Sequence, residues 1–365
     1  MNENSIKIDQ LTFTRFLAAT AIVVFHYGKF VPPFNSGILS RASNNANICV
    51  SYFFVLSGFI MVVAYHRFKR ISFKKYYINR FSRIYPVYLL ALLITLFFVV
   101  TVKAFDLTGF SLHLFLLQGW VPRYTMDYNV PGWSLSVEAF FYLLFPLLYN
   151  FVYTRFNLNR VFLWIIIFWF LMQTGFFLVS KYGSVASLVP FSGTERFNFL
   201  FYSPFLHLDE FLAGNAAGLL FMRIKSGQVN YSKNIVAACL FFSAIVVFSL
   251  LFLIPNAKDY FAINLHDGLL AIIFIPFILW LSLSKNTFTS ILSSKPLVFL
   301  GNISYEMYIL QFPVFATLTA INLKLKLAPT SFFYFGLIGL ILFSAICHLL
   351  IEKPLLRLIR KYMAK

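Results

Sequence analysis

Charge is what this sequence has least of. Only 12% of its 365 residues are charged, against about a quarter in soluble domains, and the mean hydropathy is +0.79. That excludes an ordinary soluble domain and leaves no stretch for a sizeable one. Acids are scarcer still, 12 Asp and Glu against 30 Lys and Arg, for a net charge of +18. In a soluble chain such an excess would suggest nucleic acid. Here the basic residues fall in short connections between apolar runs, the pattern of the positive-inside rule, so no nucleic-acid partner is expected. Cysteine is rare: Cys49, Cys239 and Cys347 each lie inside an apolar segment without CxxC spacing, which excludes a disulfide framework and a thiolate metal centre. No metal motif, Walker loop, GxGxxG or GxSxG appears, which leaves no motif for coupled ATP hydrolysis. Linkers, low-complexity tracts and internal repeats are missing as well. The first apolar run has no small-x-small cleavage site after it, so it reads as a retained span.

What is abundant is apolar sequence in membrane-length runs. Ten spans are predicted, over 11–30, 46–66, 83–104, 133–153, 160–180, 199–222, 233–254, 263–284, 297–320 and 331–352, each near the roughly 20 residues needed to cross hydrocarbon. The run from Phe110 to Trp120 is too short to span and suits an interfacial or re-entrant piece. Placing the N-terminus in the cytoplasm collects twenty Lys and Arg in the inner connections and tail against nine outside. The expected fold is therefore an all-α polytopic bundle of about ten helices in the lipid bilayer, with both termini cytoplasmic.

Ionisable residues inside such spans are costly and mark function. Arg15 and His26, eleven residues apart in the first span, share one helix face about 16 Å apart along the axis. A snorkelling arginine and an interfacial histidine would also fit these two alone. His26 lies toward the outer leaflet, and Glu138, in a span that enters from the outside, lies at a similar depth, so the two are expected to pair, with the carboxylate orienting a general base. Arg80 and Arg83, one turn apart at the start of the third span, end a run of seven basic residues. They read either as a positive-inside loop or, with Arg15, as a phosphate-holding cluster. Asp209 and Glu210 fall near mid-membrane in the sixth span, where no more than one should fully face a cavity. The neighbouring Ala213, Gly214, Ala216, Ala217 and Gly218 read as a close packing face. His266 and Asp267 read as interfacial polar groups, and Tyr305, Glu306, Tyr308 and Gln311 as a stripe lining a cavity.

Seven motifs carry a resemblance: Arg15 and His26 with ten residues between them, YFFVLSGFIM at Tyr52 to Met61, NRFSRIYP at Asn79 to Pro86, WSLSVEAFFY at Trp133 to Tyr142, EFLAG at Glu210 to Gly214, LGNISYEMYILQFPV at Leu300 to Val314, and IEKPLLR at Ile351 to Arg357. In this order, from the first span to the last, they resemble the acyltransferase 3 family of integral membrane acyltransferases. The resemblance implies transfer of an acyl group, usually acetyl from acetyl-CoA, to a hydroxyl of a surface or exported glycan or lipid-linked sugar, in a bacterial inner membrane and without a metal. It implies a catalytic His26, an essential Arg15, donor-binding Arg80 and Arg83, and an acidic motif position at Glu138. Many relatives have His where Gln311 stands. It also implies one acyltransferase domain over residues 1–365, without the extracytoplasmic SGNH domain that some members carry. The alternative is a transporter or flippase that uses the buried charges as a path. Against that stand the absence of an inverted repeat and the gathering of arginines at one mouth.

Overall fold

A computed structural model describes residues 6–102, 104–181, 193–253 and 268–363. Among the described residues the chain is helical, with no strand. The elements are α1 (Gln10–Val23), α2 (Gly37–Asn44), α3 (Cys49–Tyr65), α4 (Phe73–Val102), α5 (Leu107–Leu114), α6 (Trp133–Leu148), α7 (Leu158–Lys181), α8 (Gly193–Tyr202), α9 (Leu208–Lys225), α10 (Lys233–Leu253), α11 (Ala271–Leu283), α12 (Thr287–Leu292), α13 (Lys295–Asn302), α14 (Ser304–Leu325), α15 (Pro329–Cys347) and α16 (Lys353–Met363). Among the described residues, seven continuous helical stretches are long and apolar enough to cross a membrane, Gln10–Gly28, Ala46–Tyr65, Phe73–Thr101, Val130–Tyr153, Leu158–Val179, Ser304–Leu325 and Pro329–Ile359.

The differences from the ten expected spans have local causes. The expected span over 199–222 is two helices, α8 and α9. Pro204 lies in the break between them, and its missing N–H and fixed φ end a helix there. Asp209 and Glu210 thus stand in the first turn of α9, where helix N-terminal amides favour acids. The helix expected from 83 begins at Phe73, because hydropathy marks only the apolar part of a helix that continues into the interface. The expected span over 263–284 is seen as α11, and its beginning, with His266 and Asp267, lies outside the described residues. Phe110 to Trp120 holds the end of short α5 and a 3-10 turn at Gln118–Trp120, in keeping with a non-spanning piece.

The most extensive seam joins α3 to α9. A Cβ on Gly58 would collide with the carbonyl oxygen of Phe211, and one on Gly214 with that of Val55. Small residues let two backbones meet in this way where lipid offers no hydrophobic drive to hold helices together. The packing face expected at Ala213 to Gly218 is this seam. α1 lies against α3, α13 and α14, and α14 carries Tyr305, Glu306, Tyr308 and Gln311.

Candidate active site

Two cavities along α1 hold the candidate site residues. The first, of about 130 Å³, is at the Arg15 end of that helix and is lined by Arg15, Arg80, Arg83, Glu138, Ser57 and Tyr142 among others. It gathers four of the five residues singled out in the sequence. Arg80 is boxed by aromatic rings, its guanidinium carbon 5.6 Å from the Tyr65 ring, 5.8 Å from Tyr76 and 5.6 Å from Tyr142. Cation–π contacts of this kind hold a guanidinium without neutralising it. Its Nε is buried without a hydrogen-bond partner among the described residues. Arg15 lies in electrostatic range of both Arg83 and Glu138. The cavity is thus a cluster of cations with one internal carboxylate, a fit for polyanionic phosphates.

The second cavity, of about 250 Å³, is lined by His26, Asn44, Asn45, Asn47, Trp133 and Tyr202, with Phe25, Phe197 and Phe201 beside them. Val50 and Tyr308 line both cavities, so the arginine cavity and the histidine cavity adjoin there. His26 stands in a π-helical turn, Val24–Gly28, that continues α1. Such turns recur at functional sites.

The partner expected for His26 is corrected. Glu138 accepts from the Tyr142 hydroxyl at 3.0 Å and faces the arginines, whereas His26 Nδ1 lies 2.7 Å from Gln311 Oε1. Depth alone suggested a carboxylate beside the imidazole. Three guanidinium groups attract that carboxylate more strongly than a neutral ring does. Gln311 also fixes the histidine's tautomer. Its Nε2 donates to the Tyr308 carbonyl at 2.7 Å, and that carbonyl only accepts. Oε1 therefore faces His26 as an acceptor, Nδ1 carries the hydrogen, and Nε2 keeps its lone pair. Sequence reasoning placed Gln311 in a cavity-lining stripe but missed this role. No local signal marks it, since the two residues stand 285 positions apart.

Asp209 and Glu210 are absorbed by structure. Asp209 Oδ1 accepts from the Glu210 amide at 2.8 Å and Oδ2 from Gln173 at 2.8 Å. Glu210 Oε2 lies 2.9 Å from His207 Nδ1, and Oε1 accepts from Gly268 N at 3.2 Å. His207 in turn packs against Phe54 and Trp133, with ring centroids 5.1 and 5.4 Å away. This network braces the tryptophan that lines the second cavity. Glu306 lies in a separate buried cluster with His348 and Glu352.

Comparison with known proteins gives the geometry its context. The acyltransferase MdmB of Streptomyces mycarofaciens is 33% identical over 158 residues, 40% of this chain and 40% of that protein. The O-acetyltransferase OatA of Staphylococcus aureus strain NCTC 8325 / PS 47 is 23% identical over 327 residues, 84% of this chain and 52% of that protein. The chain spans about half the length of these relatives or less. An uncharacterized protein of Haemophilus influenzae is 27% identical over 225 residues, 56% of this chain and 86% of that protein. No solved structure matches the chain. The family model described as an acyltransferase domain matches residues 8–349, nearly the whole helical bundle with both cavities, and the chain belongs to this acyltransferase 3 family.

Proposed function

We propose that the protein is a membrane O-acyltransferase that moves an acyl group, acetyl in the simplest case, from cytoplasmic acyl-CoA to a hydroxyl of a surface or exported glycan. The observation that carries this reading is the pair of cavities meeting at Tyr308 and Val50, one cationic and one aromatic with a tautomer-fixed histidine. It supports a donor and an acceptor that approach from opposite ends. The names of MdmB and OatA, acyltransferase and O-acetyltransferase, point the same way.

In this reading both termini face the cytoplasm of a bacterial cell, and residues 1–365 act as one acyltransferase unit. The phosphates of CoA rest among Arg15, Arg80 and Arg83, and the narrow pantetheine arm covers the distance of about 16 Å along α1 toward His26. A sugar ring lies against Trp133 and Tyr202, with the side chains of Asn44, Asn45 and Asn47 within the same cavity. His26 Nε2 takes the proton from the sugar hydroxyl as its oxygen attacks the thioester carbonyl. The C–S bond breaks, an ester forms, and the CoA thiolate receives that proton from Nε2. Glu138 offsets part of the arginine charge and keeps the donor cavity from binding phosphates irreversibly.

The test uses the purified full chain in sealed vesicles with acetyl-CoA and an extract of lipid-linked and polymeric glycan. The reading requires free CoA thiol and a matching amount of glycan ester. A transporter or flippase would leave every covalent bond as it was, and unchanged acetyl-CoA beside a relocated glycan would overturn the reading.

A further inference from the structure

Adjoining the cationic cavity, three ionisable side chains outside the proposed chemistry form one buried cluster. Glu306 stands in the first turn of α14, and His348 and Glu352 begin and end the π-helical segment between α15 and α16. His348 Nδ1 lies 2.9 Å from Glu306 Oε1 and 2.5 Å from Glu352 Oε2. The remaining Glu352 oxygen, Oε1, lies 3.9 Å from Arg83 Nε. The Arg83 side chain is 45% exposed and that of Glu352 only 7%, so the carboxylate is the fixed member of this pair.

The two oxygens of Glu352 thus have different partners, and that decides its orientation. An Nδ1 that faces two carboxylate oxygens must present its hydrogen, because a lone pair there would meet two anions. His348 therefore holds Oε2, and Oε1 is left aimed at Arg83. Nε is the back edge of a guanidinium. An anion there leaves both Nη groups free to make a forked contact with phosphate in the cavity. The anion also offsets repulsion among Arg15, Arg80 and Arg83, which line one small space. The three ligand atoms of the cluster lie within 4.8 Å of one another, a spacing that a divalent cation also accepts. Arg83, however, already supplies a cation beside Glu352.

We propose that Glu352, oriented by His348 and Glu306, is a positioning residue that holds the Arg83 guanidinium toward the phosphates of the acyl donor. This rests on the acyl-CoA reading above. The test compares two donors on the full chain in membranes: acetyl-CoA, and S-acetylpantetheine, which lacks every phosphate. Wild type should show the lower KM for acetyl-CoA. If it discriminates between the donors not at all, the acyl-CoA reading fails and the positioning role falls with it. Given that discrimination, Glu352→Gln and His348→Leu should each raise KM for acetyl-CoA about tenfold, the scale of one charge-assisted contact. Their kcat should stay within about twofold, and their kinetics on S-acetylpantetheine should not move. His348→Asn, whose Nδ2 takes the place of Nδ1, should restore the wild-type KM. On an Arg83→Gln background, Glu352→Gln should add nothing. Equal losses with both donors, additivity with Arg83→Gln, or a stoichiometric divalent metal in wild type that Glu352→Gln releases would each overturn the proposal. If Glu352→Gln fails to accumulate, the His348→Leu and His348→Asn pair carries the same comparison.

Discussion

A histidine acts as a base only in the right tautomer, and Gln311 sets that tautomer for His26 through one hydrogen bond at 2.7 Å. Gln311→Leu should therefore lower kcat about tenfold with little change in donor KM, the scale of one lost hydrogen bond of about 1.4 kcal/mol in the transition state. Gln311→Glu, which keeps an acceptor on Nδ1, should retain most of the rate. Steady-state kinetics on membranes of matched protein content checks both. At Arg80 the ring box predicts that Lys is a poor substitute. Arg80→Lys keeps the charge but loses the planar face that Tyr65, Tyr76 and Tyr142 surround, so donor KM should rise roughly fivefold, in line with about 1 kcal/mol of cation–π energy. The ionisable residues of the candidate site stood out in the sequence because charge inside or beside an apolar span is conspicuous. Their partners were not. Gln311 is 285 positions from His26, and nothing local signals that two distant helices meet there. Glu138 was given the wrong partner because depth in the membrane ranks candidates, whereas net attraction chooses among them.

At the scale of the element, the α3–α9 seam leaves no room for an added side chain at its glycines. Gly214→Val would drive two methyl groups and a Cβ into the Val55 carbonyl, and overpacking of this kind costs about 1–3 kcal/mol or more. The variant should lose several degrees in a thermal-shift measurement in detergent, whereas Gly175→Ala, at a helical glycine with open space around it, should not. Most spans were legible from length and hydropathy, since spanning sets both. The seam was legible too, because clustered small residues in an apolar helix have few other uses. Breaks and extensions were harder to read. α4 runs on past the apolar stretch that hydropathy marks, and α8 and α9 are separated at Pro204 inside what looks like one continuous apolar run. The π-helical turns at Val24–Gly28 and His348–Glu352 left no sequence mark, because one inserted residue does not alter composition.

For the whole molecule, the account requires an oriented bundle with a donor mouth on one side and an acceptor chamber toward the other. The distribution of Lys and Arg predicts that a cysteine-directed impermeant reagent labels Lys7→Cys and Lys285→Cys from the cytoplasmic face and Arg41→Cys from the opposite face. Labelling of Arg41→Cys from the cytoplasm would reverse the orientation and with it the donor route. The family and the membrane class were legible from composition and motif order. The two-chamber layout was not, since it depends on α1, α6 and α14 converging so that Tyr308 faces both cavities. The most direct test of the central claim is label transfer from radiolabelled acetyl-CoA to glycan in sealed membranes that hold equal amounts of wild type or His26→Ala. The account predicts labelled glycan with wild type and a loss of at least a hundredfold with the variant, as befits removal of a general base. Transfer by His26→Ala at the wild-type rate would contradict it.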